Sequence, residues 1–135
     1  MFDTKIAILL NTDLVTWQKL NVTAFLASGI TAALPNLIGE PYVDAAGRSH
    51  ARLLVHPMLV FAADPDVLRR AWTQAINRDL LRAPYVRAMF STGHDEANRA
   101  VFRAEPADAP DLVGLAIYGP KKEVDKVTKG ASLHP

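Results

Sequence analysis

Six polar side chains stand close to apolar runs and are of types that bind ligands. Lys19 and Asn21 lie among hydrophobic residues early in a helical segment. An ammonium holds a carboxylate, phosphate or carbonyl oxygen, and an amide both donates and accepts hydrogen bonds. A lysine near a helix start also opposes the helix dipole, at a cost of about 0.3–1 kcal/mol. A lysine in such an unfavourable position indicates a role other than stabilising the helix.

We therefore predict a cleft for a small molecule or peptide, with Lys19 as its cationic anchor and Asn21 orienting the ligand. The polar residues that follow two predicted strands complete this site: Thr12, Asp13, Ser91 and His94. Asp13 is expected to pair with Lys19 when no ligand is bound. The alternative is a solvated lysine beside a hydrogen-bonded asparagine, at the start of an ordinary helix.

Other catalytic and metal-binding patterns are missing from the sequence. There is no cysteine, which excludes disulfides and thiolate chemistry, and there is no G-x-G-x-x-G, Walker or G-x-S-x-G motif. Ser91 and His94 are too close along the chain to suggest a triad, whose members converge from separate segments. The four histidines are scattered, and His94-Asp95-Glu96 is typical of a polar helix start. We predict neither a metal nor a cofactor.

Composition predicts one domain spanning residues 1–135. Half of the residues are hydrophobic, enough for a substantial core, and the formal charge is only +1. A near-neutral chain disfavours broad phosphate binding to nucleic acid. The apolar run after Lys5 is too short for a signal peptide, and no uncharged stretch has membrane-spanning length. We expect a cytoplasmic protein that does not associate with membranes.

Alternating strand and helix patterns predict an α/β fold, a three-layer α/β/α domain around a mixed sheet of about four strands. Pro57 favours a strand that begins at Met58, and Asp64-Pro65 is a strong helix start. The predicted strands are residues 5–10, 58–62, 85–91 and 112–119, and the predicted helices are 16–34 (N-cap Thr16), 65–81, 96–103 and a short one after Pro120. An irregular hairpin or loop turning at residues 45–47 separates the first helix from the second strand. With roughly parallel strands, the loops at 12–13, 91–94 and 119–121 would share one edge of the sheet.

The first predicted helix is apolar around most of its circumference, although a domain of this size has few layers to cover it. We therefore predict a homo-oligomer, most simply a homodimer.

The order of motifs resembles the type II peptidyl-tRNA hydrolases. Thr12-Asp13-Leu14 after a strand, Lys19 on an alanine-rich helix, and LAIYGPKKEVDKVTKGASL at residues 115–133 are similar to motifs of that family. WQKLN is shared with an uncharacterised bacterial branch of the same fold. The resemblance implies a hydrolase-like fold over nearly the whole chain.

The resemblance also implies site residues, and most of them differ here. Lys19 matches the family's lysine, but Thr23 and Leu26 stand where that family has glutamine and histidine. Ser91 replaces its aspartate, and its threonine falls near Asp95. Ester cleavage needs groups that activate water and stabilise an oxyanion, so ligand binding without hydrolase chemistry is the favoured interpretation. A hydrolase with a rearranged site and a non-catalytic interaction domain are the alternatives.

Lys121 and Lys122 belong to the one comparably basic run, KKEVDKVTK. If tRNA binds, they are the expected phosphate contacts, although tRNA is not the favoured partner.

Overall fold

A mixed sheet of five strands forms the centre of the protein, whose computed structural model describes residues 2–135. Its strands are β1 (Thr4–Asn11), β4 (Met58–Ala63), β5 (Leu81–Val86), β6 (Leu112–Pro120) and β7 (Ser132–Leu133), and β2 (Ile38–Val43) and β3 (Ser49–Leu54) form a separate hairpin. The order across the sheet is β5-β6-β1-β4-β7. β4 runs parallel to β1, whereas β6 is antiparallel to both β1 and β5.

Helices cover both faces of this sheet. They are α1 (Thr16–Ala33), α2 (Pro65–Asn77), α3 (Asp95–Arg103) and α4 (Lys121–Val127). Successive residues of a strand point to opposite faces, so Ile6 and Ile8 pack on the side of α1 while Ala7 and Leu9 pack on the side of α2 and α4. The three layers expected from the sequence are present. The sheet has five strands instead of about four because the C-terminal residues add β7 beside β4.

Two predicted boundaries were wrong in the segment after α2. The helix ends at Asn77 and not near residue 81, because Asp79 takes a left-handed conformation (φ 50°) that turns the chain into β5. The predicted strand at 85–91 is instead β5 up to Val86, followed by a 3₁₀ turn at residues 87–91. Pro84 is tolerated because β5 is an edge strand, where the outer side of the backbone needs no ladder partner.

The start of α1 also differs from its prediction by one residue. Val15, not Thr16, is the N-cap, and it has no side chain that can accept a hydrogen bond. Gln18 compensates by folding back, so that its Oε1 accepts the N–H of Val15 at 3.1 Å. One exposed backbone donor is thereby satisfied.

The β2–β3 hairpin projects from the body, as its largely exposed residues show. It turns at residues 44–48, in agreement with the predicted turn, and Gly47 supplies the positive φ that the turn requires. Hydrogen bonds from His50 and from Arg48 lower the pKa of Asp44 to about 2. The same carboxylate accepts the N–H groups of Ala46 and Arg48, which closes the turn.

Strand direction decides which loops meet. β1 and β5 end at the same edge of the sheet, so the loop at residues 12–13 lies near the segment after β5. β6 runs the other way, and its last residue pairs with Thr4 at the start of β1. The expectation that residues 119–121 would share this edge was therefore wrong: Lys121 and Lys122 lie at the opposite edge.

Candidate functional site

A groove opens between α1 and the segment that follows β5. Its cavity has a volume of about 380 Å³. It continues between α1 and α3 as a second cavity of about 320 Å³, and the two share Phe25, Tyr85 and Asn98 among their lining residues. We call the first cavity the aromatic groove; it is lined by Trp17, Asn21, Phe25, Tyr85, Met89, Phe90, Thr92, Gly93, His94, Asp95 and Asn98.

Four aromatic rings in contact form one wall of the aromatic groove. The ring centroids of Trp17 and Phe90 are 5.7 Å apart, and those of Phe90 and Tyr85 are 5.5 Å apart. Phe25 completes the series at 6.0 Å from Tyr85. These separations are typical of favourable aromatic pairs. Trp17 and Phe25 nevertheless remain 60% and 56% exposed, so much of their ring surface is open to a ligand.

Polar groups face the same space from α1, β5 and α3. His94 is the N-cap of α3, and its Nδ1 accepts the N–H of Ala97 at 3.2 Å. The neutral ring then carries its proton on Nε2, which is left as a donor. Burial raises the pKa of Tyr85, so its phenol stays protonated at neutral pH. The amide of Asn21 adds both a donor and an acceptor, whereas the Oδ1 of Asn98 already accepts a hydrogen bond from the hydroxyl of Thr92.

The structure places Lys19 and Asn21, the first two residues of the predicted site, on different sides of α1. Asn21 lines the aromatic groove together with His94, whereas Lys19 does not. Residues two apart on a helix are rotated by about 200° about its axis. Lys19 therefore lies on the side of the buried residues Val22 and Leu26, and Asn21 lies on another side. Lys19 is half-buried there, and its ammonium has no ion-pair partner within residues 2–135.

The remaining predicted residues lie in the loops that follow β1 and β5. Thr12, Asp13 and Ser91 are exposed and do not line the aromatic groove. Asp13 pairs with Arg87 at 3.1 Å and not with Lys19, which corrects the expected pairing. Arg87 begins the 3₁₀ turn and also contacts Asp111 at 3.2 Å. This ion-pair network joins the loop after β1 to the segment that carries Ser91.

A buried asparagine that sequence reasoning missed shapes the same edge. Asn11 is 1% exposed; its Oδ1 accepts the N–H of Asp13 at 3.1 Å and its Nδ2 approaches the carbonyl of Leu112 at 3.5 Å. A buried amide without partners is costly, so both contacts hold the turn after β1 in place. The signal in the sequence was a polar residue that directly continues the apolar run of β1.

A larger cavity, of about 510 Å³, lies between α2 and the residues after α3. Trp72, Phe102 and two prolines make it apolar, and its charged side chains, among them Arg99 and Arg103, are mostly at the surface. Arg99 is already paired with Asp95 at 2.7 Å. This cavity therefore offers less converging polar chemistry than the aromatic groove does.

Over residues 2–135, no three histidine, aspartate or glutamate side chains are grouped closely enough to hold a metal ion. Within that same range, no helix has both the length and the apolar character needed to cross a membrane.

Comparison with known proteins assigns this chain to a family. The fold is a mixed α/β domain, and residues 4–135 match the family described as "Protein of unknown function (DUF2000)", so the chain belongs to that family. A solved structure of a protein of unknown function from Agrobacterium tumefaciens, Atu0240, is similar to this chain with 50% sequence identity and a TM-score of 0.97 over the full length of both. No curated protein matches the sequence.

Proposed function

We propose that this protein binds a small molecule or peptide through a planar ring, and that the ligand sits in the aromatic groove. The observation that carries the proposal is the series of four contacting rings, two of them more than half exposed, beside the hydrogen-bonding side chains of Asn21 and His94. Ligand sites usually combine an apolar concavity with a few converging hydrogen-bonding groups. A planar ring would stack on Trp17, and its polar edge would meet Asn21 and His94.

The position of the groove supports this proposal. The groove lies near the edge at which the parallel strands β1 and β4 end, and α/β sheets commonly place their ligands there. Exposed aromatic rings cost free energy in water, at about 25 cal/mol per Å² of apolar surface. Covering Trp17 with a ligand ring would recover part of that cost.

Tryptophan fluorescence tests the groove directly because the chain has only two tryptophans. Trp17 lines the aromatic groove, whereas Trp72 is 7% exposed and lies against α3. In a Trp72→Phe variant, saturable quenching is expected on titration with a planar-ring panel of adenine, nicotinamide, benzoate and the dipeptide Gly-Phe. The matched Trp17→Phe variant keeps a ring in the groove but should show no such signal.

Affinity variants separate the groove from the rest of α1. Asn21→Ala removes one hydrogen-bonding group and is expected to weaken binding about two- to tenfold. Leu20→Ala, on the same helix but outside the groove lining, should leave affinity unchanged. Identical affinities in all variants, or no saturable quenching by any compound of the panel, would contradict the proposal.

Lys19 does not line the aromatic groove, so its contact with an anionic ligand is a separate prediction, for a ligand that binds at or reaches Lys19 itself. An anionic ligand held by Lys19 would bind far more weakly to Lys19→Met, and that variant should keep its fold because a partly solvated lysine contributes little to stability. Benzoate and nicotinamide discriminate here, since only benzoate carries a carboxylate. Equal loss of affinity for both compounds would argue against a charge contact.

The relationship to type II peptidyl-tRNA hydrolases is likewise proposed and not established. The order of β1, α1, α2, β6 and α4 supports it, but the groove residues are aromatic and amide groups. Lys121 and Lys122 are exposed at the sheet edge opposite the end of β1, so a tRNA phosphate held there would lie away from the groove. A peptidyl-tRNA cleavage assay tests this alternative, and turnover abolished by Lys19→Met would favour it over binding alone.

A cytoplasmic location also stays a prediction.

A further inference from the structure

α3 packs loosely beside the edge strand β5. Its apolar side chains, among them Val101 and Phe102, follow one side of the helix, yet no residue from Asp95 to Arg103 is buried. The main contacts of α3 are with the 3₁₀ turn that precedes it in the chain. Because protein interiors are normally close-packed, an apolar helix side that is left unpacked indicates space for a ligand.

Two cavities adjoin each other on the α2 side of α3. One is the cavity of about 510 Å³ described above, and the other, of about 440 Å³, lies toward the start of β5. Trp72 and Phe102 line both, whereas the far ends lie near Pro110 and Arg82. We call the two cavities together the α2–α3 cleft. Its elongated outline suits a linear chain better than a compact ring.

The wall of the cleft opposite α2 is apolar and fixed in shape. Pro106, Ala107 and Pro110 belong to it, and each proline restricts its own φ. The Nε1 of Trp72 donates to the carbonyl of Ala107 at 3.0 Å, and the N–H of Ala109 donates to the carbonyl of Pro106 at 3.2 Å. These contacts tie the loop to α2, so a ligand would meet a surface that needs little ordering.

The guanidinium of Arg103 gives one end of the cleft a positive charge. Arg99 and Arg103 line this end from successive turns of α3. Arg99 is paired with Asp95 at 2.7 Å, whereas Arg103 has no ion-pair partner within residues 2–135. Glu105 lies in the same lining, but its Oε1 accepts the N–H of Asp111 at 3.3 Å, which holds its carboxylate on the loop. Arg103 is therefore free to hold a carboxylate by two parallel hydrogen bonds.

We propose that the α2–α3 cleft binds an alkyl carboxylate, a linear apolar chain with one carboxylate at its end. The carboxylate pairs with Arg103, and the chain lies against Trp72 and Phe102. At the other end of the cleft, Arg82 already donates to the carbonyl of Leu80 at 3.0 Å, so the Arg103 end is the better place for a negative charge. Apolar clefts with one well-placed polar group are typical ligand sites. This site is separate from the aromatic groove, and the proposal does not depend on any ligand there.

Trp72 fluorescence tests the cleft in the Trp17→Phe variant, in which Trp72 is the single remaining tryptophan. A saturable change is expected on titration with decanoate below its micelle concentration. Octanoate should bind about fifteenfold more weakly, because each buried methylene contributes about fourfold in affinity. Decyltrimethylammonium, a chain of similar length with the opposite charge, should bind about tenfold or more weakly than decanoate. Equal affinity for the two charge types, or no saturable change with decanoate, would overturn the proposal.

The charge contact is tested by Arg103→Gln, which keeps a polar side chain but removes the cation. Decanoate is expected to bind about tenfold more weakly to this variant. Arg69→Gln, at an exposed position on the outer side of α2, is the matched control and should leave the affinity unchanged. Isothermal titration calorimetry measures both variants without relying on tryptophan. Equal affinities of the two variants for decanoate would contradict the assignment of Arg103.

The reciprocal Trp72→Phe variant locates the chain within the protein. Calorimetry should still show decanoate binding, because phenylalanine keeps an apolar ring in the cleft. Trp17, which lines the aromatic groove, should show no saturable change in fluorescence with decanoate. A response of Trp17 as large as that of Trp72 would place the chain in the aromatic groove and overturn the proposal.

Discussion

The two longest helices cover opposite faces of one sheet but differ in their outer sides. α2 buries one stripe, which includes Leu68, Ala71 and Ala75, and carries Arg69 and Arg70 toward solvent. α1 buries a comparable stripe of Val22, Leu26 and Ile30, yet its exposed side is uncharged from residue 20 to its end. Once α2 has packed on the sheet, its charged outer side needs no further cover. α1 keeps exposed apolar side chains, and two of them, Trp17 and Phe25, line the aromatic groove.

The difference sets apart α1, the helix that lines the groove for which ligand binding is proposed. A helix with a charged outer side needs nothing more than the sheet and solvent. An uncharged outer side with exposed Trp17, Leu20 and Phe25 loses free energy in water unless it is covered. The physical contrast between α1 and α2 therefore locates the candidate functional surfaces without reference to any relative.

The largest expected effect on stability comes from the buried stripes of α1 and α2, where the two helices should behave alike. Leu26→Ala and Leu68→Ala each remove a fully packed side chain, and each is expected to lower the free energy of unfolding by about 2–5 kcal/mol. Urea denaturation followed by circular dichroism measures both. Ile76→Ala, at a 39% exposed position of α2, is the control and should cost clearly less. A negligible effect of Leu26→Ala would break the comparison, because α1 would then not be packed as tightly as α2.

A glycine beneath α1 should give the next largest effect. A Cβ at Gly114 of β6 would come within 2.5 Å of Val22 Cγ1 and 3.0 Å of Leu26 Cδ1. Gly114→Ala should therefore push α1 from the sheet and cost about 1–3 kcal/mol of unfolding free energy. Gly93→Ala has open space around it and is the matched control. If both variants melted at the same temperature as the native chain, close packing of α1 on β6 would be disproved.

Helix caps should give the smallest effect, with opposite signs in the two helices. The carboxylate of Asp64 accepts the N–H of Val67 at 2.9 Å at the start of α2, so Asp64→Ala should lose about 1 kcal/mol. Val15 has no such acceptor, and Val15→Asp should gain about 0.5–1 kcal/mol by supplying one. Thermal denaturation compares the two. A loss of stability in Val15→Asp would mean that the introduced carboxylate does not accept the free N–H groups of the first turn of α1.

Part of the candidate site was predictable and part was not. Asn21 was identified as a polar residue among apolar ones and His94 as a polar residue after a predicted strand, and both line the aromatic groove. Tyr85 and Phe90 were assigned to one predicted strand, whose alternation would have put them on opposite faces. The 3₁₀ turn after Val86 instead brings Phe90 back onto Tyr85 and Trp17. A local change of backbone from extended to helical leaves little trace in a short, mixed sequence.

The amino-acid sequence by itself determined the class of fold, the starts of β4, α2 and β6, and the unusual character of α1. Those properties depend on local spacing: an apolar run for β4, Asp64-Pro65 for α2, and the absence of charge in α1 after Lys19. Only the tertiary structure decided strand direction, the separation of Lys19 from Asn21 and the pairing of Asp13 with Arg87. Those outcomes depend on contacts between residues far apart in the chain, which local patterns do not contain.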